Sequence, residues 1–169
     1  MDLSFTDQKM LLASVNARAE VHGEEREPAG DVKLEADLPN SCLSLFHPTL
    51  KSLLYCFDSA RPQDLADQGK AHEPGYLPHL RFPNLVSPLR WDAEVANAQV
   101  TISVPGVRGE IVLSSCKVNK FEFTPHDGGT VSIAMRVQCH PDEKAFGKLS
   151  VIVQQEVSVT LEIVEQAPA

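Results

Sequence analysis

Three groupings of residues could carry chemistry. Lys117, Lys120, Phe121 and Phe123 interleave cations with aromatic rings in one short segment. Binders of single-stranded nucleic acid combine charge with a stacking platform in this way, the cation meeting phosphate and the ring meeting a base. Alternation along a strand puts Phe121 and Phe123 on one face, with Lys117 on that same face. The segment is therefore a candidate surface for single-stranded DNA; the competing assignment buries both rings in a core and leaves Lys117 at the strand end.

Cys139 and His140 are adjacent. Neighbours on a strand point to opposite faces, so the two cannot grip one metal ion while extended. A helix follows them, and a helix N-terminus lowers a thiol pKa, which makes Cys139 the nearest approach to a nucleophile in the chain. Its place on an apolar face assigns it instead to the core, with His140 capping the helix. His22, His47, His72, His79 and His126 show no i, i+4 or H-x-H spacing. No serine sits in a G-x-S-x-G turn, and Gly128-Gly129 joins two strands without opening a helix, so no phosphate cradle is formed. No catalytic residue, cofactor site or metal site is expected, and the chain reads as a non-enzyme.

The third grouping is acidic. The chain carries 23 acidic and 15 basic residues, a net charge of −8. Between Glu20 and Asp37 lie seven acids (Glu20, Glu24, Glu25, Glu27, Asp31, Glu35, Asp37) and two bases (Arg26, Lys33), a net of −5. Carboxylates clustered at a flexible hairpin tip are poorly preorganised for acid–base catalysis. Two uses remain. The charge can protect a solvated sheet edge from pairing with another sheet, or it can meet a basic surface on a partner, including one that normally holds nucleic acid. Under the second use the contact residues are Glu20, Glu24, Glu25, Glu27 and Asp31. An acidic chain gains little from counterion release, so duplex DNA and anionic membrane surfaces are disfavoured partners.

The elements that position these groups follow from pattern. At 169 residues with 43% hydrophobic content, the chain can bury a core as a single domain. Apolar residues occupy every odd position from Leu11 to Val21, which predicts a strand with its odd face buried. A polar segment from His22 to Gly30 reads as an extended acidic loop, and alternation resumes at Val32, Leu34, Ala36 and Leu38, completing a long hairpin. Leu50, Leu53, Leu54 and Phe57 fall at helical spacing behind Pro48, predicting a short amphipathic helix. An irregular connector, rich in proline, covers about 58–88; its Pro78 to Trp91 part has side chains able to pack on the sheet, and its Asp64 to Gly75 part has few.

The second half repeats the strand signal. Val100, Ile102 and Val104 alternate before a Pro105-Gly106 turn, and a further strand runs from Glu110 to Phe123. Asp127-Gly128-Gly129 marks a hairpin turn, and Val131, Ile133, Met135, Val137 and Cys139 alternate after it. Pro141-Asp142-Glu143 opens a second helix with the stripe Phe146, Leu149, Ile152 and Val153. Val157, Val159, Leu161 and Ile163 make a final strand, and 166–169 a short tail. The fold class is α+β, mainly antiparallel sheet of long hairpins with two short helices packed on it. The two halves can be set side by side as two ββα repeats, each helix starting at His-Pro; reuse of a common hairpin-then-helix unit is the other account.

The N-terminus has no secretory or transit pattern, no stretch is long enough to span a bilayer, and the four cysteines show no C-x-x-C pair. A cytosolic protein with free thiols is expected. In the second half, Arg81-Phe82-Pro83, Cys116-Lys117-Val118, Gly128-Gly129-Thr130-Val131, Arg136-Val137-Gln138, His140-Pro141-Asp142-Glu143-Lys144 and Gly147-Lys148-Leu149 together resemble a family of small bacteriophage and prophage proteins. These are encoded in early regions beside recombination genes. The resemblance implies a phage-type protein in a bacterial cytosol that works by binding. The expected role is modulation or inhibition of a nucleic-acid-handling protein, a host defence complex among the candidates; the alternative is a single-stranded DNA-binding accessory of phage recombination.

Overall fold

The apolar alternation is satisfied by closing a sheet on itself. The computed structural model describes residues 1–61 and 73–165. Its strands are β1 (Phe5–His22), β2 (Glu25–Pro39), β3 (Tyr55–Cys56), β4 (His79–Leu80), β5 (Leu89–Trp91), β6 (Val95–Ser103), β7 (Glu110–Pro125), β8 (Thr130–Cys139) and β9 (Glu156–Ile163). Around the barrel the order is β6-β9-β1-β2-β8-β7, and pairing of β7 with both β6 and β8 closes six strands into a ring. All of these pairings are antiparallel. Closure removes most of the open sheet edge that would otherwise invite association. At this level the expectation of mainly antiparallel sheet with few short helices holds.

The interior is filled by the inward half of each strand. On β8, Val131, Ile133, Met135, Val137 and Cys139 are all buried, and on β9 so are Val157, Val159 and Leu161. β1 departs from the expected odd face. Met10 and Leu12 point inward, and the register then slips between Leu12↔Leu34 and Ser14↔Lys33, leaving Ala13 as an extra residue. A bulge of this kind exchanges the two faces of a strand. Val15 therefore packs on the core, whereas Val21, at the far end of the same odd face, is 66% exposed. The expected loop from His22 to Gly30 is not a loop: pairing continues to His22↔Glu25, and only Gly23 and Glu24 turn the chain.

Helical segments cover the two ends. At one end a 3-10 turn (Asn40–Leu45) and the short α1 (Leu50–Leu54) bury Leu43, Phe46, Leu50 and Leu54. The longer helix expected through Phe57 stops at Leu54 because Tyr55 and Cys56 go extended to pair with Leu80 and His79, and Leu53 is 57% exposed. The Tyr55 hydroxyl reaches the carbonyls of His126 and Thr130 at 2.9 and 3.0 Å, tying this end to the β7–β8 turn. Of the connector, Leu77, Leu80, Leu89 and Trp91 pack against the core while Phe82, Leu85 and Val86 are exposed. Most of its Asp64 to Gly75 part and the tail 166–169 lie outside the described residues.

The other end carries α2 (Glu143–Val151). Its N-cap is Asp142, whose carboxylate accepts from Ala145 N at 2.7 Å, so the capping role expected of His140 falls two residues later. Leu149 is fully buried, and the Phe146 ring packs against Gly30, where a Cβ would come within 2.9 Å of Cζ. Glycine is used there because the ring and backbone approach too closely for a side chain.

Candidate binding surfaces

The first surface is a projecting arm. β1 pairs with β9 only as far as Leu11↔Glu156, and β2 pairs with β8 only as far as Gly30↔Cys139. From Arg18 and Ala29 to the turn, the two strands pair with no other strand among the described residues. At about 3.3 Å per residue the free ribbon reaches roughly 13 Å past the barrel.

A polar network stiffens its base. Arg18 donates to Asp31 Oδ1 at 3.1 Å and to Glu20, and His140 donates from Nε2 to Glu20 Oε2 at 2.8 Å. Hydrogen bonds from His140 and from Arg18 hold the Glu20 carboxyl down to about 2. Two of the five expected acidic contact residues, Glu20 and Asp31, are thus engaged within the base of the arm itself. Glu20 and Asp31 are half-buried and neutralised by Arg18, which lies just outside the acidic window and reduces its net charge to −4. Glu24, Glu25 and Glu27 are exposed, and none has a cation within salt-bridge reach among the described residues.

The second surface is a trough on the outside of the barrel. A volume of about 680 Å³ is lined in part by Arg90, Trp91, Glu94, Asn119, Lys120 and Arg136. It shares Lys120, Glu122 and Arg136 with a neighbouring hollow of about 280 Å³ that continues to Asn16, Asp31 and Lys33. Asn119 is the hub: it donates to Glu94 at 3.1 Å and to Gln138 at 3.0 Å, and accepts from Arg136 Nε at 3.0 Å. Lys117 lies 3.7 Å from Glu94. Lys120 and Arg136 have no carboxylate partner among the described residues.

The stacking platform expected beside these lysines is absent from the surface. Phe121 and Phe123 are 0% and 2% exposed and pack edge-on against Phe46, at centroid distances of 5.2 and 4.6 Å. Lys117 is not on their face. The register shifts between Asn119 and Glu122, with Lys120 at φ 51°, so Val118 points inward before the slip and Phe121 after it. The half-buried Trp91 is the aromatic side chain open to the trough; Phe121, the other aromatic residue in its lining, is fully buried.

The third surface had no counterpart in the sequence reading. A groove of about 500 Å³ runs between α2 and the β6–β7 turn. Its floor is apolar, with Ile102, Ile111 and Ile152 below the exposed Val107 and Val151; Arg108, Lys144 and Lys148 stand on its rim, with Glu143. Lys144, Lys148 and Val151 at i, i+4 and i+7 were the legible signal for this helix face.

Constellations for catalysis are weak. His126 Nε2 lies 2.8 Å from Ser132 Oγ, and Ser132 donates to Asp37 Oδ1 at 2.5 Å. With its one proton given to Asp37, Ser132 must accept from His126, which is the reverse of the transfer a nucleophilic serine needs. Burial pushes the Cys116 and Cys139 thiols up to about 12 and about 11. Among the described residues no group of three or more His, Cys, Asp or Glu is placed to hold a metal ion; His72 lies outside them. No described helix is long and apolar enough to cross a membrane.

The fold and surfaces define a closed six-stranded antiparallel barrel with one projecting two-stranded arm. Comparison of the chain with protein-family models, with curated proteins and with solved structures finds no match.

Proposed function

We propose that this chain is a non-catalytic, phage-type binding protein of the bacterial cytosol that modulates or inhibits a nucleic-acid-handling protein, with a host defence complex among the targets. The observation that supports this reading is the arm. Its tip sets Glu24, Glu25 and Glu27 in solvent without cation partners among the described residues, on a ribbon braced by Arg18. A braced ribbon loses little conformational entropy on docking, and an acidic tip is complementary to a surface built for phosphate.

Affinity capture from host cytosol, with and without nuclease, tests the reading. The wild-type chain captures a basic protein that survives nuclease treatment, and E24K/E25K/E27K loses it. Equal capture by both chains removes the arm from the mechanism.

Direct binding of single-stranded DNA is the second reading, favoured by one observation: Lys120 and Arg136 line the trough beside Trp91 with no carboxylate partner among the described residues. Glu94 and Glu122 in the same region oppose it. A mobility shift with short oligonucleotides at low salt that K120E/R136E abolishes supports it, and no shift with the wild type eliminates it.

A duplicated ββα origin is the finer account of the fold. What supports it is that β2 and β8, the second strands of the β1–β2 and β7–β8 hairpins, pair antiparallel with each other, and that a helical segment follows each hairpin.

A further inference from the structure

We infer that the groove beside α2 receives the arm of a second copy of this chain. The groove is unusual in its charge. In a protein of net charge −8, Arg108, Lys144 and Lys148 gather around one apolar floor, and none has a carboxylate within salt-bridge reach among the described residues. Val107 and Val151 beside them are 63% and 76% exposed. Such a surface calls for an occupant that is apolar on one side and acidic on another.

The arm has both properties. Cross-strand register places Ala19 opposite Pro28 and Val21 opposite Arg26, so one face of the ribbon carries Ala19, Val21 and Pro28 together with the Arg26 side chain near the tip, all exposed. Glu24, Glu25 and Glu27 supply three acids at its end that have no salt bridge among the described residues, against Arg108, Lys144 and Lys148 on a groove whose lining holds one acid, Glu143. The contact must be intermolecular. Within one molecule Phe146 holds α2 against Gly30 of the arm's base, while the groove opens toward the β6–β7 turn and no arm residue lines it.

Each copy offers one arm and one groove, so a reciprocal two-fold pair satisfies both and closes as a dimer. Exposed charge pairs are screened by salt, so association weakens as ionic strength rises. Dimer formation also covers the tip that the proposed function gives to a partner, which places self-association and partner binding in competition.

Sedimentation equilibrium over a concentration series is the test. The wild type self-associates, and R108E/K144E/K148E and E24K/E25K/E27K each weaken association on the order of tenfold or more. Mixed together, the two reversed variants associate again, because each reversed surface meets its reversed counterpart. V107S/V151S, which leaves the charge alone, also weakens the wild-type contact. Circular dichroism establishes that each variant is folded. A wild type that stays monomeric into the high micromolar range, or reversed variants that do not rescue each other, overturns the inference. Either outcome leaves the proposed function standing, because that reading is decided by partner capture, in which R108E/K144E/K148E retains a free arm.

Discussion

His140 donates from Nε2 to Glu20 Oε2 at 2.8 Å, joining a residue two positions before the α2 N-cap to the arm 120 positions earlier in the chain. With Arg18 on the other carboxylate oxygen, this contact gives the projecting ribbon a fixed base where its strands leave the barrel. The acidic network of the arm is therefore a brace at its root, and the carboxylates left exposed are Glu24, Glu25 and Glu27 at its tip.

The brace should be visible in acid. Glu20 has its carboxyl at about 2 in the folded chain, against 4.5 for the free group. Deprotonation thus favours the folded arm: the contribution is complete above about 4.5 and is lost as pH falls through about 2. Carboxyl titration by NMR should give Glu20 the lowest midpoint of the arm glutamates, and His140→Ala should raise it. A midpoint at the ordinary value in the wild type would dissolve the brace.

Gly30→Ala tests the seat of α2. A Cβ at this position meets Phe146 Cζ at 2.9 Å, and overpacking of this kind costs about 1–3 kcal/mol. Denaturant unfolding should show that loss, and Phe146→Leu in the same chain should recover part of it. An unchanged midpoint for the single variant would mean that the helix shifts freely.

Phe123→Ala should destabilise by about 3–5 kcal/mol, since the ring is 2% exposed and edge-packed on Phe46. Lys120→Ala, on the exposed side of the same strand, should stay within about 0.5 kcal/mol. Thermal unfolding of the two variants separates a core role for the rings from a surface one, because a surface ring would unfold at the wild-type temperature when removed.

Cys116 and Cys139 should resist an aromatic disulfide reagent at pH 8 in the native state. Both are 0% exposed, and burial raises their pKa to about 12 and about 11, leaving almost no thiolate. Cys56, half-buried at the edge of β3, should react first. Four rapid equivalents without denaturant would contradict this burial.

How far the sequence could be read differs from strand to strand. β8 was legible throughout, because it carries no bulge and its alternation maps directly onto inside and outside. β1 was legible as a strand, yet its buried face was not. Whether the bulge falls at Ala13 depends on how β1 meets Leu34 and Lys33 on β2, which are distant in sequence. The same limit applies to β7, where the slip beyond Asn119 separates Lys117 from the two phenylalanines. The acidic segment was legible as a charge excess, but Arg18, two residues before its start, decides which of its acids remain free.

What the sequence by itself determined was local: the identity of most strands, the turns at Pro105-Gly106 and Gly128-Gly129, the opening of α2 and the concentration of acid around one hairpin. These follow from periodicity and turn chemistry, which act over a few residues. The tertiary structure alone decided barrel closure, the inward face at each bulge, the arm's length beyond its neighbours and the basic groove at α2. Each of these depends on which distant strands pair and where their register slips, and a one-residue slip exchanges every side chain between core and solvent.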